Sequence, residues 1–209
     1  MKLRLTLAAV AAVLLSIFNM DAKKSYIFLF LAPGVEEIEA MATIDALRRA
    51  EIPVVAVAVD TTLEIKGATG QTVKADVLIA DVDTSDADWL IVPGGVPGAP
   101  NLHASKEVND MLQAHHARGG RIASICAGPA VVLAPAGILQ GKKATCYPSL
   151  GDAINANGGT YIKAKVVSEP GLITSEGPGT TLPFAIEIIR QTKGDKVADD
   201  TAASMLVDL

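Results

Sequence analysis

Residues 25–32 are apolar at every position after Ser25, and Pro33 and Gly34 end the run. An unbroken apolar stretch of this length between breakers suits a strand buried on both faces. Helical spacing follows over residues 35–50, with Ile38, Met41, Ile44, Ala46 and Leu47 forming an apolar side. Pro53 stops that helix, and residues 54–59 read as a second buried strand. Strand, helix and strand make a βαβ unit, which demands parallel pairing and a right-handed crossover. The composition agrees. Aromatic residues are 4% of the chain, so the core is built from Val, Ile, Leu and Ala.

The alternation continues. Residues 63–81 alternate and contain Gly67 and Gly70, which predicts an antiparallel excursion or a pair of short strands. Residues 89–92 form a buried strand ending in Pro93-Gly94-Gly95. A helix is expected over 106–118, closed by Gly119 and Gly120, and a strand over 121–125. Residues 130–139 read as helical around Pro135, and 143–147 as a short strand. Residues 166–167 and 172–174 form a hairpin about Pro170 and Gly171; helices over 181–192 and 196–206 complete the chain. The predicted fold class is α/β: a flavodoxin-like, doubly wound sandwich with a mostly parallel sheet and helices on both faces.

The 209 residues suffice for one substantial domain, and neither a repeat nor a low-complexity linker divides them. Residues 24–209 are read as that single domain. Lys2 and Arg4 precede an apolar run over residues 5–18, a pattern resembling a secretory signal and short for a membrane span. Residues 1–23 are therefore a signal-like extension or a mis-called start. The protein is cytoplasmic if Met20 is the true start, and exported or membrane-associated if the apolar segment acts. Net charge is −5 with no basic cluster in the body of the chain, so no nucleic-acid partner is predicted. The two cysteines, Cys126 and Cys146, read as reduced thiols with different jobs.

In doubly wound sheets, sites form beyond the carboxyl ends of the strands. Three segments fall there: residues 34–39, 93–98 and 126–129. Cys126 sits where apolar strand gives way to Ala127, Gly128 and Pro129, the place of a nucleophile in a strand-turn-helix elbow. A helix end there favours the thiolate; the alternative is a buried inert cysteine. The Gly94-Gly95 pair lets backbone N–H groups point into the site, although such pairs also simply make turns. Glu36, Glu37 and Glu39 at a helix start form either a solvated, dipole-favoured cluster or, where Glu39 turns inward, an acid beside the sulfur. Two adjacent anions repel in a dry cleft, so Glu39 is expected to keep its proton, lower the thiol pKa and act as general acid/base. His103, His115 and His116 are read as surface residues, and no metal site is expected.

Residues 31–39 (Leu-Ala-Pro-Gly-Val-Glu-Glu-Ile-Glu), Val92-Pro93-Gly94-Gly95, residues 125–129 (Ile-Cys-Ala-Gly-Pro) and residues 174–180 (Thr-Ser-Glu-Gly-Pro-Gly-Thr) together resemble the ThiJ/PfpI superfamily, nearest its DJ-one branch, the parkinsonism-associated deglycase with its bacterial relatives. The resemblance runs in order from about Ser25 to Val207. It implies a homodimer, Cys126 as an oxidation-prone nucleophile, Glu39 as its protonated partner, and Gly95 and Ala127 as backbone donors. It adds Tyr147 and Pro178 as site-lining candidates and implies no cofactor. Tyr147 stands where many relatives have histidine, Ala127 where the protease-like branch has one, and Thr69 where some relatives have arginine. A Cys-His-acid triad and protease activity are therefore not expected.

The implied function is a cofactor-independent, cysteine-dependent glyoxalase III or deglycase. Its substrates are methylglyoxal, glyoxal and early glycation adducts, with protection against oxidative stress. The alternatives are a peroxide-sensing redox protein, in which Cys126 climbs to sulfinic acid, and a chaperone without physiological catalysis.

Overall fold

The computed structural model describes residues 26–208. The N-terminal extension, with the start at Met20, lies outside the described residues. The expected first strand is β1 (Tyr26–Leu31), buried from Ile27 onward. Helix α1 (Glu37–Arg49) follows, then β2 (Val54–Ala58). Next come β3 (Glu64–Lys66), β4 (Thr72–Lys74), β5 (Val77–Leu78) and β6 (Ala87–Val92). Helices α2 (Gly98–Ala104) and α3 (Lys106–Ala117) lead to β7 (Arg121–Ile125). The remainder is β8 (Lys143–Ala144), α4 (Gly151–Ala156), β9 (Thr160–Tyr161), β10 (Val166–Glu169), β11 (Leu172–Ser175), α5 (Thr181–Lys193) and α6 (Asp195–Ser204).

Seven strands form one sheet in the order β10-β11-β7-β6-β1-β2-β5. Every pairing in it is parallel except β10 with β11. The chain steps outward from β1 to β2, then returns past β1 to β6. That reversal sends successive crossover helices to opposite faces. Helix α1 packs against α5, and α5 against α6, while α3 covers β6 and β7. The strand residues Leu29, Phe30, Leu31, Leu90, Val92 and Ala123 are fully buried, as two covered faces require. The stretch 63–81 resolves into the β3–β4 hairpin plus β5, which joins the main sheet beside β2.

Four expectations need correction. Residues 130–139 do not form an α-helix. A π-type turn spans Pro129–Leu133, with Ala134 N–H donating to Pro129 C=O at 2.9 Å. Pro135 lacks an N–H to continue an α-helical ladder. The strand expected over 143–147 stops at Ala144, because Thr145 N–H donates to Thr174 Oγ1 and Tyr147 N–H to Cys126 C=O instead. Helices α2 and α4 were not anticipated; they are too short and too rich in Gly, Pro and Asn to show a period. His115 is not a surface residue but fully buried. Its Nε2 meets Arg121 C=O at 2.9 Å and its Nδ1 faces the Arg118 guanidinium at 2.8 Å, so both ring nitrogens are satisfied without water. Gly120 makes room for the ring, since a Cβ there would come within 2.4 Å of it.

Candidate active site

Strand β6 lies between β1 and β7, so the loops leaving these three strands are neighbours. The three segments singled out by sequence therefore meet. Glu36 N–H donates to Gly94 C=O, and Gly98 N–H to Gly34 C=O at 3.0 Å. Glu36 caps α1: its carboxylate accepts from Glu39 N–H at 2.7 Å. That cap fixes the first turn and directs the three carboxylates differently. Glu37 turns aside and accepts from Thr69 N–H at 2.9 Å, from Thr69 Oγ1 at 2.7 Å and from Gln71 N–H at 3.3 Å. These bonds hold its carboxyl below the ordinary carboxylate value, although burial acts the other way. Glu39 goes inward and is fully buried.

Two glycines make the convergence feasible. A Cβ on Gly94 would lie 2.7 Å from Cys126 Cβ and 2.8 Å from Glu39 Oε2, so the cysteine and the acid meet across an absent side chain. Gly94 N–H also donates to Glu39 Oε2 at 2.7 Å. Gly95 has φ +95°, and a Cβ there would strike Gly34 C=O at 2.3 Å.

Cys126 adopts φ 62°, a left-handed conformation that costs a non-glycine residue roughly 1–2 kcal/mol. Both of its backbone groups are tied down. Its N–H donates to Ser175 C=O at 2.9 Å, and its C=O accepts from Tyr147 N–H at 2.8 Å. The backbone N–H groups of Gly95 and Ala127 act on the sulfur and favour its ionised form. The thiol is 9% exposed, at the floor of a cavity of about 360 Å³. Gly95, Val96, Ala127, Tyr147, Ser149 and Leu150 form the rest of its wall.

Burial pushes the Glu39 carboxyl up to about 7, against the Gly94 N–H and the Cys126 thiol, which favour ionisation. Its Oε1 is buried without a hydrogen bond of its own among the described residues, which further disfavours a full charge. Burial and the Glu39 charge push the Cys126 thiol up as well, to about 12. The part of that rise due to the Glu39 charge applies only while Glu39 is ionised; with the proton on Glu39, burial alone opposes the two N–H groups. Two neighbouring acids that both resist ionisation hold at most one negative charge between them near neutral pH. Removing that single proton leaves either a carboxylate beside a thiol or a thiolate beside a carboxylic acid. Those two forms have the same proton count.

Of the sequence-predicted residues, Cys126, Glu39, Gly95, Ala127 and Tyr147 come together. Pro178 does not: it lines a neighbouring cleft with Ile38, Lys165 and Met205. Gly177 approaches instead, its Cβ position lying 3.6 Å from the Tyr147 ring and 4.0 Å from Cys126 Sγ. Val96 lies in the 93–98 segment placed at the site but was not singled out, and Ser149 and Leu150 were not anticipated. Pro148, which opens a single 3-10 turn over Pro148–Leu150, was the one available signal for the last two. None of the three histidines lines the cavity. Cys146 is fully buried away from it, its Sγ 3.4 Å from Tyr147 C=O.

A profile of the DJ-1/PfpI family matches residues 25–191. The chain belongs to the DJ-1/PfpI family. It is 35% identical over 177 residues to protein DJ-1 homolog A of Arabidopsis thaliana, covering 85% of this chain and 45% of that protein. The chain thus spans less than half of that plant relative. It is 36% identical to the glutathione-independent glyoxalase DJR-1.2 of Caenorhabditis elegans, covering 84% of this chain and 92% of the relative. Oxidized DJ-1 of Toxoplasma gondii superposes with a TM-score of 0.84 at 37% identity, covering 88% of this chain and all of the other. The flavodoxin-like fold and the DJ-1 branch of the ThiJ/PfpI superfamily follow. No helix among the described residues is long and apolar enough to cross a membrane.

Proposed function

We propose that this DJ-1/PfpI family member is a cysteine-dependent glyoxalase or deglycase acting on methylglyoxal, glyoxal and early glycation adducts. The observation that carries the reading is the convergence of Cys126 and Glu39 across Gly94 at the floor of an open cavity. The name of the nematode relative, a glutathione-independent glyoxalase, supports the same class of reaction.

The chemistry follows from the single shared charge. The Glu39 carboxylate takes the thiol proton as Cys126 sulfur bonds to the aldehyde carbon and passes it to the aldehyde oxygen, giving a hemithioacetal and restoring the carboxylate. The Gly95 and Ala127 N–H groups oppose the negative charge that develops in the cleft. The Glu39 carboxylate then takes the proton from the former aldehyde carbon and returns it to the adjacent carbonyl carbon through an enediol, while the hydroxyl proton passes to the adjacent oxygen, converting hemithioacetal to thioester. Water cleaves the thioester, releasing a 2-hydroxy acid and the free thiol. A group titrating near 7 suits both directions of proton transfer at neutral pH. Purified protein should convert methylglyoxal to lactate, and Cys126→Ala and Glu39→Gln should each abolish it. Lactate formation by Cys126→Ala at the wild-type rate would end the proposal.

A second reading, a peroxide-responsive protein, is favoured by the same site. Cys126 alone of the two cysteines opens onto a cavity, with an acid beside it able to hydrogen-bond a sulfinate. The homodimer implied by the resemblance is part of the proposal as well. Helix α1 leaves Ile38 56% and Met41 45% exposed, an apolar face suited to a second copy. Its test is the mass in solution, with Met41→Asp shifting it toward the monomer.

A further inference from the structure

The cavity over Cys126, about 360 Å³, is far larger than a three-carbon oxoaldehyde requires, and its wall is mostly apolar and without a charged side chain beyond the sulfur. Beyond the sulfur, its side chains are Val96, Ala127, Tyr147, Ser149 and Leu150. Ser149 and the Tyr147 phenol add hydroxyls, and no lysine or arginine is present. Val96 is 74% and Tyr147 49% exposed, so the mouth is framed by large apolar side chains facing solvent. Tyr147 is held in register with the nucleophile, because its N–H donates to Cys126 C=O. Its ring and the sulfur flank the same backbone at Gly177. A flat group attached to the reacting carbonyl therefore has a ring to lie against once the carbonyl carbon reaches sulfur.

From this we infer that the site selects 2-oxoaldehydes carrying an uncharged apolar substituent, aryl or branched alkyl, with Tyr147, Leu150 and Val96 as the specificity-determining residues. The inference rests on the proposed addition of Cys126 to an aldehyde and names its substrate class. The charge of the buried pair acts in the same direction. One negative charge shared by Cys126 and Glu39, with no cation in the wall, repels a carboxylate or phosphate on the substrate. Burying roughly 50 Å² of a phenyl group at about 25 cal/mol per Å² corresponds to roughly tenfold in affinity.

The test separates the wall from the catalysis. The first arm measures Cys126 alkylation by iodoacetamide, N-benzyl iodoacetamide and iodoacetate, each rate normalised to that of free N-acetylcysteine. In each case sulfur displaces iodide, so the chemistry is constant and only the substituent differs. The benzyl reagent should lead iodoacetamide by roughly tenfold after normalisation and iodoacetate should trail it. Tyr147→Ala and Leu150→Ala should each shrink the benzyl preference. The second arm compares kcat/KM for phenylglyoxal and methylglyoxal, with the advantage expected in KM. Equal normalised alkylation rates, or a preference that survives both substitutions, overturn the inference even where methylglyoxal is turned over. A benzyl preference that both substitutions remove, without turnover of either aldehyde, supports the apolar wall and overturns the enzymatic reading instead.

Discussion

Replacing Glu39 by glutamine removes a charge that the fold makes expensive, and the cost is visible in stability against pH. The carboxyl titrates at about 7 in the folded chain against an ordinary 4.5. At 1.36 kcal/mol per pH unit, ionising it in place costs about 3 kcal/mol. The folded protein therefore binds more protons than the unfolded chain between these two values. The contribution of Glu39 to stability is full below about 4.5 and is lost as pH rises through about 7. Glutamine keeps the shape and still offers an oxygen to Gly94 N–H, but it does not titrate. His115 works in the opposite sense. Burial holds its pKa below 6.5, so its contribution is present above that value and lost on acidification. Because His115 is common to both proteins, the difference between wild type and Glu39→Gln isolates Glu39. Urea unfolding of both proteins from about pH 4 to pH 8 should show wild type losing about 3 kcal/mol relative to the variant across that range. A difference that does not change with pH would mean that Glu39 is not a desolvated acid, and the shared-charge argument would go with it.

Three further outcomes follow. The rate of Cys126 alkylation by iodoacetamide in wild type should rise with pH through an inflection near 7, the first ionisation of the pair, and Glu39→Gln should move that inflection upward; identical profiles would contradict it. Gly94→Ala places a Cβ within 2.7 Å of Cys126 Cβ and 2.8 Å of Glu39 Oε2. It should destabilise the protein by about 1–3 kcal/mol in denaturant titration and lower lactate formation more than any change at exposed Thr69. Mild peroxide should add oxygen to Cys126, which opens onto the cavity, and spare Cys146, which is fully buried, as peptide mass spectrometry would show; equal oxidation of both would refute this.

Most of the architecture was legible because it depends on long signals. The apolar runs of β1, β2, β6 and β7 and the helical spacing of α1, α3 and α5 each span enough residues for a period to show. Where the sequence misled, hydrogen bonds that no period reveals decided the outcome. Tyr147 N–H bonds to Cys126 C=O rather than to a strand partner, which ends β8 early and stands Tyr147 over the sulfur. His115 resembles an ordinary exposed helix residue until Arg118 and the Arg121 carbonyl are found on its two nitrogens. In the site, Cys126 and Glu39 were readable from the turn and the helix start, and Gly94-Gly95 from the strand end. Val96 falls in the segment already placed at the site and Pro148 marks the turn that holds Ser149 and Leu150, but nothing local says that these side chains face the sulfur, because a cavity wall is defined by what lies across it.

The ionisation of the pair shows why position in the fold matters more than the identity of either residue. A thiol at a helix start, considered alone, favours the thiolate. The same thiol with 9% exposure and a carboxyl beside it does not ionise independently. What the pair offers is one labile proton that either partner can give up. Addition to an aldehyde and reaction with peroxide both draw on that proton, so the two proposed activities share Cys126 and Glu39 and differ only in which electrophile reaches the sulfur. That choice passes to the cavity wall. An apolar wall with Tyr147 at its mouth concentrates uncharged carbonyl compounds while leaving small neutral peroxide free to enter, and substitutions at Tyr147 and Leu150 should therefore alter aldehyde turnover without altering peroxide sensitivity to the same degree.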